Sequence, residues 1–187
     1  MFIAVTNLLA KSAVINKWKD NKFETFQENG TEGTGQESTA FEIHNETFIA
    51  IANFDNSQQG HAAHSTVFKW SGNSFVKLQS LQTYGAVDVK SFDINGDTFL
   101  AFANELSNEY NMDLFIYKWV GSKFVLFQSI PTRGDFSWHP FVMCGETFLG
   151  VANRYGNSQR YNTKSVIYRY SGQQFHSVPR DINSGSE

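Results

Sequence analysis

GAVDVKSFDINGDTFLAFAN, from Gly85 to Asn104, decides how this chain is read. Its second half recurs as FIAIAN from Phe48 to Asn53, as FLGVAN from Phe148 to Asn153 and as FIAVTN from Phe2 to Asn7. The copies start at positions 2, 48, 99 and 148, so the spacings are 46, 51 and 49 residues. A fixed period of this length is the mark of a repeat architecture.

Each period carries four pieces, A to D. The B pieces are the FxAxAN segments. They are apolar at successive positions, whereas a half-exposed strand would alternate, so they read as strands buried on both faces. The C pieces are SAVINKW (12–18), STVFKW (65–70), DLFIYKW (113–119) and SVIYRY (165–170), rich in β-branched and aromatic residues. Each ends in a basic residue followed by Trp or Tyr. A D piece starts five residues later, at Phe23, Phe75, Phe124 and Phe175, across the short links KDNK, SGNS, VGSK and SGQQ. Such links signal hairpins. The A pieces, at 37–43, 87–94 and 136–143, place Phe41, Phe92 and Phe141 seven residues before the B-strand Phe.

The expectation is an all-β chain: a β-propeller of four-stranded antiparallel blades, with A innermost and the polar D strand outermost. Blades are expected at about 1–28 (without its A strand), 37–80, 86–129 and 135–178. With four copies of B, C and D but three of A, the chain reads as a partial ring or part of a larger propeller. A second copy completing the ring, as a homo-oligomer, is the alternative.

Totals exclude several classes. The 187 residues carry a net charge of −3 and no basic run, which argues against a nucleic-acid footprint. No apolar run approaches a membrane span. The opening MFIAVTNLLAKSAV lacks a basic n-region and belongs to the repeat, so it does not read as a signal peptide. The single Cys144 excludes an internal disulfide framework. No nucleophile elbow, phosphate loop or HExxH helix is present, so no catalytic set emerges and the chain does not read as an enzyme.

Loop lengths pick out a face. The A–B and C–D hairpins leave a meander on one side. The B–C links (54–64, 105–112 and 154–164) and the D–A links leave on the other, and the B–C links are long and polar. Long loops on one face of a rigid scaffold mark a binding face. Tyr84, Tyr110, Arg133, Tyr155, Arg160 and Tyr161 are its candidate anchors, because such residues dominate interface energetics. A lectin, with inter-blade pockets of Asn, His and aromatic residues, is the alternative.

These residues resemble the epilepsy-associated, or EPTP, repeat. The third period carries the likeness: Gly85-Ala86-Val87-Asp88, Phe92, Gly96, Phe99 to Asn104, Ile116 to Trp119, Phe124 and Phe127 to Thr132. The resemblance implies a seven-bladed propeller, an extracellular location and protein–protein recognition as in cell adhesion, with no enzymatic activity. The second period departs from the pattern, with Glu37 at the Asp88 position. The fourth places Ser137 there.

Asp88 and Glu37, on inner strands, could offer oxygens to Ca²⁺ in the channel. The plainer reading, which the sequence favours, is that they are hydrated channel-mouth residues or hydrogen-bond partners of the D–A turn. Asp55, His61 and His64 share one loop and could hold Zn²⁺, or simply form a solvated loop. The terminal Asn of each B strand (Asn7, Asn53, Asn104, Asn153) repeats in every blade, which points to a structural role. The Lys–Trp pairs read as snorkelling stems over an aromatic. Asn29-Gly30-Thr31 and Asn45-Glu46-Thr47 both fit the N-glycosylation acceptor, and Asn45 falls in an A–B hairpin, an exposed place in a secreted chain.

Overall fold

The computed structural model describes residues 2–6, 11–54, 63–104, 113–132, 135–153 and 164–179. They form fifteen strands in four antiparallel sheets, and no helix occurs among them. The first sheet runs β1 (Phe2–Thr6), β2 (Ser12–Lys19), β3 (Lys22–Gly30). The second runs β4 (Gly35–Ile43), β5 (Glu46–Asn53), β6 (Ser65–Trp70), β7 (Phe75–Leu81). The third runs β8 (Ala86–Ile94), β9 (Asp97–Asn104), β10 (Asp113–Trp119), β11 (Phe124–Pro131). The fourth runs β12 (Asp135–Met143), β13 (Glu146–Asn153), β14 (Val166–Tyr170), β15 (Phe175–Ser177). Every sheet is a meander of consecutive strands, as the repeat requires.

The sheets stack as propeller blades. The first strands β4, β8 and β12 lie against one another, so A is the inner strand and D the outer edge. The double-sided burial of the B strands is literal in the second and third blades. Phe48, Ala50 and Ala52 of β5 pack toward the third blade. Ile49 and Ile51 of the same strand pack toward the first. In β9, Leu100 and Phe102 face the second blade, while Phe99, Ala101 and Ala103 face the fourth. A regular strand sends successive side chains to opposite faces, so only a continuously apolar segment satisfies both interfaces. Each fully buried Phe or Ile contributes about 1.5–3 kcal/mol relative to exposure.

Phe41, Phe92 and Phe141 sit directly across from Phe48, Phe99 and Phe148. The ring pairs are stacked at 5.5, 5.4 and 5.3 Å. The A–B links are two-residue turns with both residues at positive φ: His44–Asn45, Asn95–Gly96 and Cys144–Gly145. That is the type I′ geometry, whose twist matches the flanking strands.

Two bulges recur. In the inner pair, the register shifts between Gly35 and Glu37, Ala86 and Asp88, and Asp135 and Ser137. In the outer pair, Phe26, Leu78 and Phe127 are the extra residues, each just before a Gln. In a regular strand Phe75 and Gln79 would share a face. The bulge at Leu78 reverses the parity, so Phe75 packs back on the first blade and Gln79 points forward to the third.

Candidate functional site

The loop face is built from the ends of the B strands. Asn53 donates from Nδ2 to the His64 carbonyl at 2.7 Å, Asn104 to the Asp113 carbonyl at 2.6 Å, and Asn153 to the Lys164 carbonyl at 2.9 Å. In each blade the Asn therefore closes the base of the B–C link, which supports the structural reading of these residues. Asn7 lies outside the described residues. In the second blade Thr83 Oγ1 donates to the Ala63 carbonyl at 2.7 Å and accepts from the Ser65 backbone N–H at 3.0 Å. The D–A link is thus tied to the B–C link beside it.

Tyr84 is held at this face from three sides. Its backbone N–H donates to Asn104 Oδ1 at 2.9 Å, and its ring meets Phe115 edge-on at 6.0 Å. Its hydroxyl accepts from the Gln82 side-chain amide. Tyr117 donates its hydroxyl to the Gln82 carbonyl at 2.6 Å. Burial, and then the nearby Tyr84, push the Tyr117 phenol up to about 12, so it stays a neutral donor. Tyr84 is half-buried. Tyr110, Arg133, Tyr155, Arg160 and Tyr161 lie outside the described residues.

Asp88 and Glu37 do not converge on a metal. Glu37 is exposed. The buried Asp88 carboxylate accepts from Lys90 Nζ at 2.5 Å, Ser137 Oγ at 3.1 Å and the Trp138 backbone N–H at 3.4 Å. Lys90 also stands over the Trp138 ring at 5.5 Å. An ammonium already neutralises the carboxylate, and among the described residues no group of three or more His, Cys, Asp or Glu could hold an ion. A calcium ion, which takes six to eight oxygens, does not fit this arrangement. Asp88 instead joins the third blade to the fourth, and Ser137, where the acid is missing, is its donor.

His64 faces Glu32 at 3.3 Å, and Asp55 and His61 lie outside the described residues. Burial raises the Glu32 carboxyl. Hydrogen bonds from Lys77 and Ser80, with the charges of Lys77 and His64, outweigh it and leave the group lower than usual. The basic residues before each Trp lie over the B-strand Phe across the ladder, not over the Trp. Lys69 is 5.7 Å from the Phe48 ring and Lys118 is 5.8 Å from Phe99. Each also meets an acid at the strand start, Lys69 with Glu46 and Lys118 with Asp97, both at 2.7 Å.

Sequence reasoning did not single out the side chains that join blades at the outer edge. Gln27 donates to the Phe75 carbonyl at 2.7 Å and accepts the Phe75 N–H at 2.8 Å. Gln79 makes the same pair with Phe124, both at 2.9 Å, and Gln128 with Phe175, at 2.9 and 2.8 Å. Each amide acts as one more strand residue. The signal was in the spacing: a Gln four residues after the D-strand Phe in three blades, and Pro179 in the fourth.

The hairpin face carries a groove between the second and third blades, with a volume of about 410 Å³. His44, Asp97, Thr98, Lys118 and Trp119 line it.

A family model described as the EPTP domain matches residues 74–120 and 123–171. Each match begins beside the outer strand of one blade and ends just after the third strand of the next, so the family unit straddles a blade boundary. The human thrombospondin-type laminin G domain and EAR repeat-containing protein is 35% identical over 119 residues, which is 62% of this chain and 17% of that protein. The mouse protein of the same name is 34% identical over 119 residues, with the same shares covered. The matched part is thus under a fifth of these relatives' length. With repeat, blade stacking and family model in agreement, this chain belongs to the EPTP-domain family of β-propellers.

Proposed function

We propose that this chain is a non-catalytic, extracellular recognition module that binds a protein partner through its B–C and D–A loop face. One observation carries the reading. Both ends of every long B–C link from the second blade onward are pinned by a B-strand Asn, and Tyr84 is fixed beside them. A rigid base that holds variable loops and a pre-positioned aromatic lowers the ordering cost of binding. Tyr84, Tyr110, Arg133, Tyr155, Arg160 and Tyr161 are the proposed anchors, and the name of the relatives, made of domain and repeat terms, supports a modular extracellular role.

The test is a binding screen of the chain against a panel of cell-surface ectodomains, followed by Tyr84→Ala and Arg160→Ala on any hit. A central anchor is worth about 2 kcal/mol or more, which is roughly thirtyfold in Kd. Unchanged affinity in all anchor variants would remove the loop face from consideration.

The groove at Trp119 favours a second reading, in which a glycan stacks on the aromatic edge and bonds to Asp97 or Lys118. A glycan array separates the two. Saturable binding lost in Trp119→Leu supports the groove, and a silent array leaves the loop face.

A further inference from the structure

The two acceptor tripeptides are equivalent in sequence and opposite in structure. Asn29 lies on β3, paired with Ala13 of β2. Its Oδ1 accepts from Gln27 Nε2 at 2.7 Å. Its Nδ2 is buried and has no hydrogen-bond partner among the described residues. The same Gln27 amide joins the first blade to Phe75 of the second. The hydroxyl of this tripeptide is also engaged, since Thr31 donates to the Gly33 carbonyl at 2.6 Å.

Asn45 is the second residue of the β4–β5 turn, at φ 65°. It is exposed, and its side chain makes no hydrogen bond among the described residues. Thr47, two residues on, is the second residue of β5 and pairs with Glu42. The acceptor nitrogen therefore stands at the exposed tip of a tight hairpin.

We infer that Asn45 is the N-glycan acceptor of this chain and that Asn29 is not. The inference rests on the extracellular reading above, because the sugar donor is met only on the secretory route. In the transfer, Asn45 Nδ2 attacks the anomeric carbon of a polyisoprenyl-pyrophosphate-linked oligosaccharide. The N–C bond forms, and the C–O bond to pyrophosphate breaks and leaves with its electron pair. The proton lost from Nδ2 passes to solvent.

Transfer precedes folding, so both tripeptides meet the enzyme. A sugar on Asn29 would occupy the space that closes over Nδ2 and would pull Gln27 off Phe75. Chains carrying it fail to close the first two blades, and the folded pool keeps the glycan at Asn45 alone. A glycan there stands next to His44, at one end of the hairpin-face groove, and on the side opposite the long links. It crowds the groove and leaves the proposed loop face clear.

The chain is expressed behind a secretory leader in mammalian cells, and both medium and lysate are analysed. Intact mass is compared before and after peptide-N-glycosidase treatment in heavy-oxygen water, which labels the residue that carried the sugar. The expected result is one glycan on secreted protein and heavy label at Asn45. Asn45→Gln and Thr47→Ala should each lose that mass and still be secreted. Label at Asn29 in secreted protein, or secreted protein of unmodified mass, would overturn the inference. Ectodomain binding by the same glycosylated and enzyme-treated samples is read separately. A missing glycan therefore counts against Asn45 alone, and missing binding counts against the loop face alone.

Discussion

Gln79 is a polar residue on an outer strand, a position that by pattern faces solvent. Its amide is instead spent on the backbone of the next blade, with two bonds of 2.9 Å to Phe124. A hydrogen bond contributes a net 0.5–1.5 kcal/mol, so Gln79→Ala should cost about 1–3 kcal/mol in denaturant unfolding. Gln174→Ala, at an exposed turn, should stay within about 0.5 kcal/mol. Equal losses in the two variants would show that the amide bonds carry nothing. Glu32 supplies the pH-dependent counterpart. Its folded-state pKa is lowered from the usual 4.5, so the unfolded chain binds its proton first as pH falls. The stabilisation is present above about pH 4.5 and is lost as pH falls through the lower folded value. Glu32→Gln should flatten the acid limb of a Tm-against-pH curve. An unchanged slope would exclude the Lys77–Glu32–Ser80 contact as its source.

At the scale of the strand, the inner-pair bulge matters most. It sets Glu37, Asp88 and Ser137 opposite Ala52, Ala103 and Ala152. Gly35, which starts the bulge of the second blade, faces the previous blade closely. A Cβ added to Gly35 would meet Thr6 Cβ and Cγ2 at 3.0 Å and Ile51 Cγ2 at 3.3 Å. Gly35→Ala should therefore destabilise by about 1–3 kcal/mol through overpacking. Thr6→Ser in the same chain removes one of the crowding atoms and should restore part of the loss. Thermal melts of the single and double variants decide this, and additive destabilisation would refute the steric cause.

At the scale of the molecule, every blade repeats one aromatic pair at its outer hairpin. Trp70–Phe75 and Trp119–Phe124 are both 5.0 Å apart, Tyr170–Phe175 5.2 Å and Trp18–Phe23 4.8 Å. In the later blades Phe75, Phe124 and Phe175 are covered by the blade before. In the first blade, Trp18 and Phe23 are 43% and 46% exposed, and Ile3 and Val5 stand out beside them at 44% and 50%. Apolar surface of this kind drives association. Copies of this chain are expected to self-associate through it, and Trp18→Ser should raise the monomer fraction in sedimentation experiments. With Pro179 where the Gln should be, the fourth blade offers no amide to Phe23 of another copy, so that association lacks the outer-edge bonds found inside the molecule. An unchanged monomer fraction in Trp18→Ser would move the contact elsewhere.

The repeat itself determined the blades. Period, continuous apolarity and turn residues are local properties of the chain, and each strand's type and order followed from them. The roles of Asn53, Asn104 and Asn153 were legible for the same reason, because an identical side chain at the same repeat position answers an identical backbone need. What only the tertiary structure decided are contacts between blades. Gln27, Gln79 and Gln128 looked like solvent-facing edge residues until the bulges turned them forward. The partners of the Asp88 carboxylate, Lys90 and Ser137, could not be read from its place in the repeat. Asn45 was legible as an exposed hairpin residue, whereas the burial of the Asn29 nitrogen was visible only in the fold. Composition and spacing report the periodicity of a strand; which neighbour a polar atom meets depends on bulges and blade stacking, which bring together residues some 45–50 positions apart.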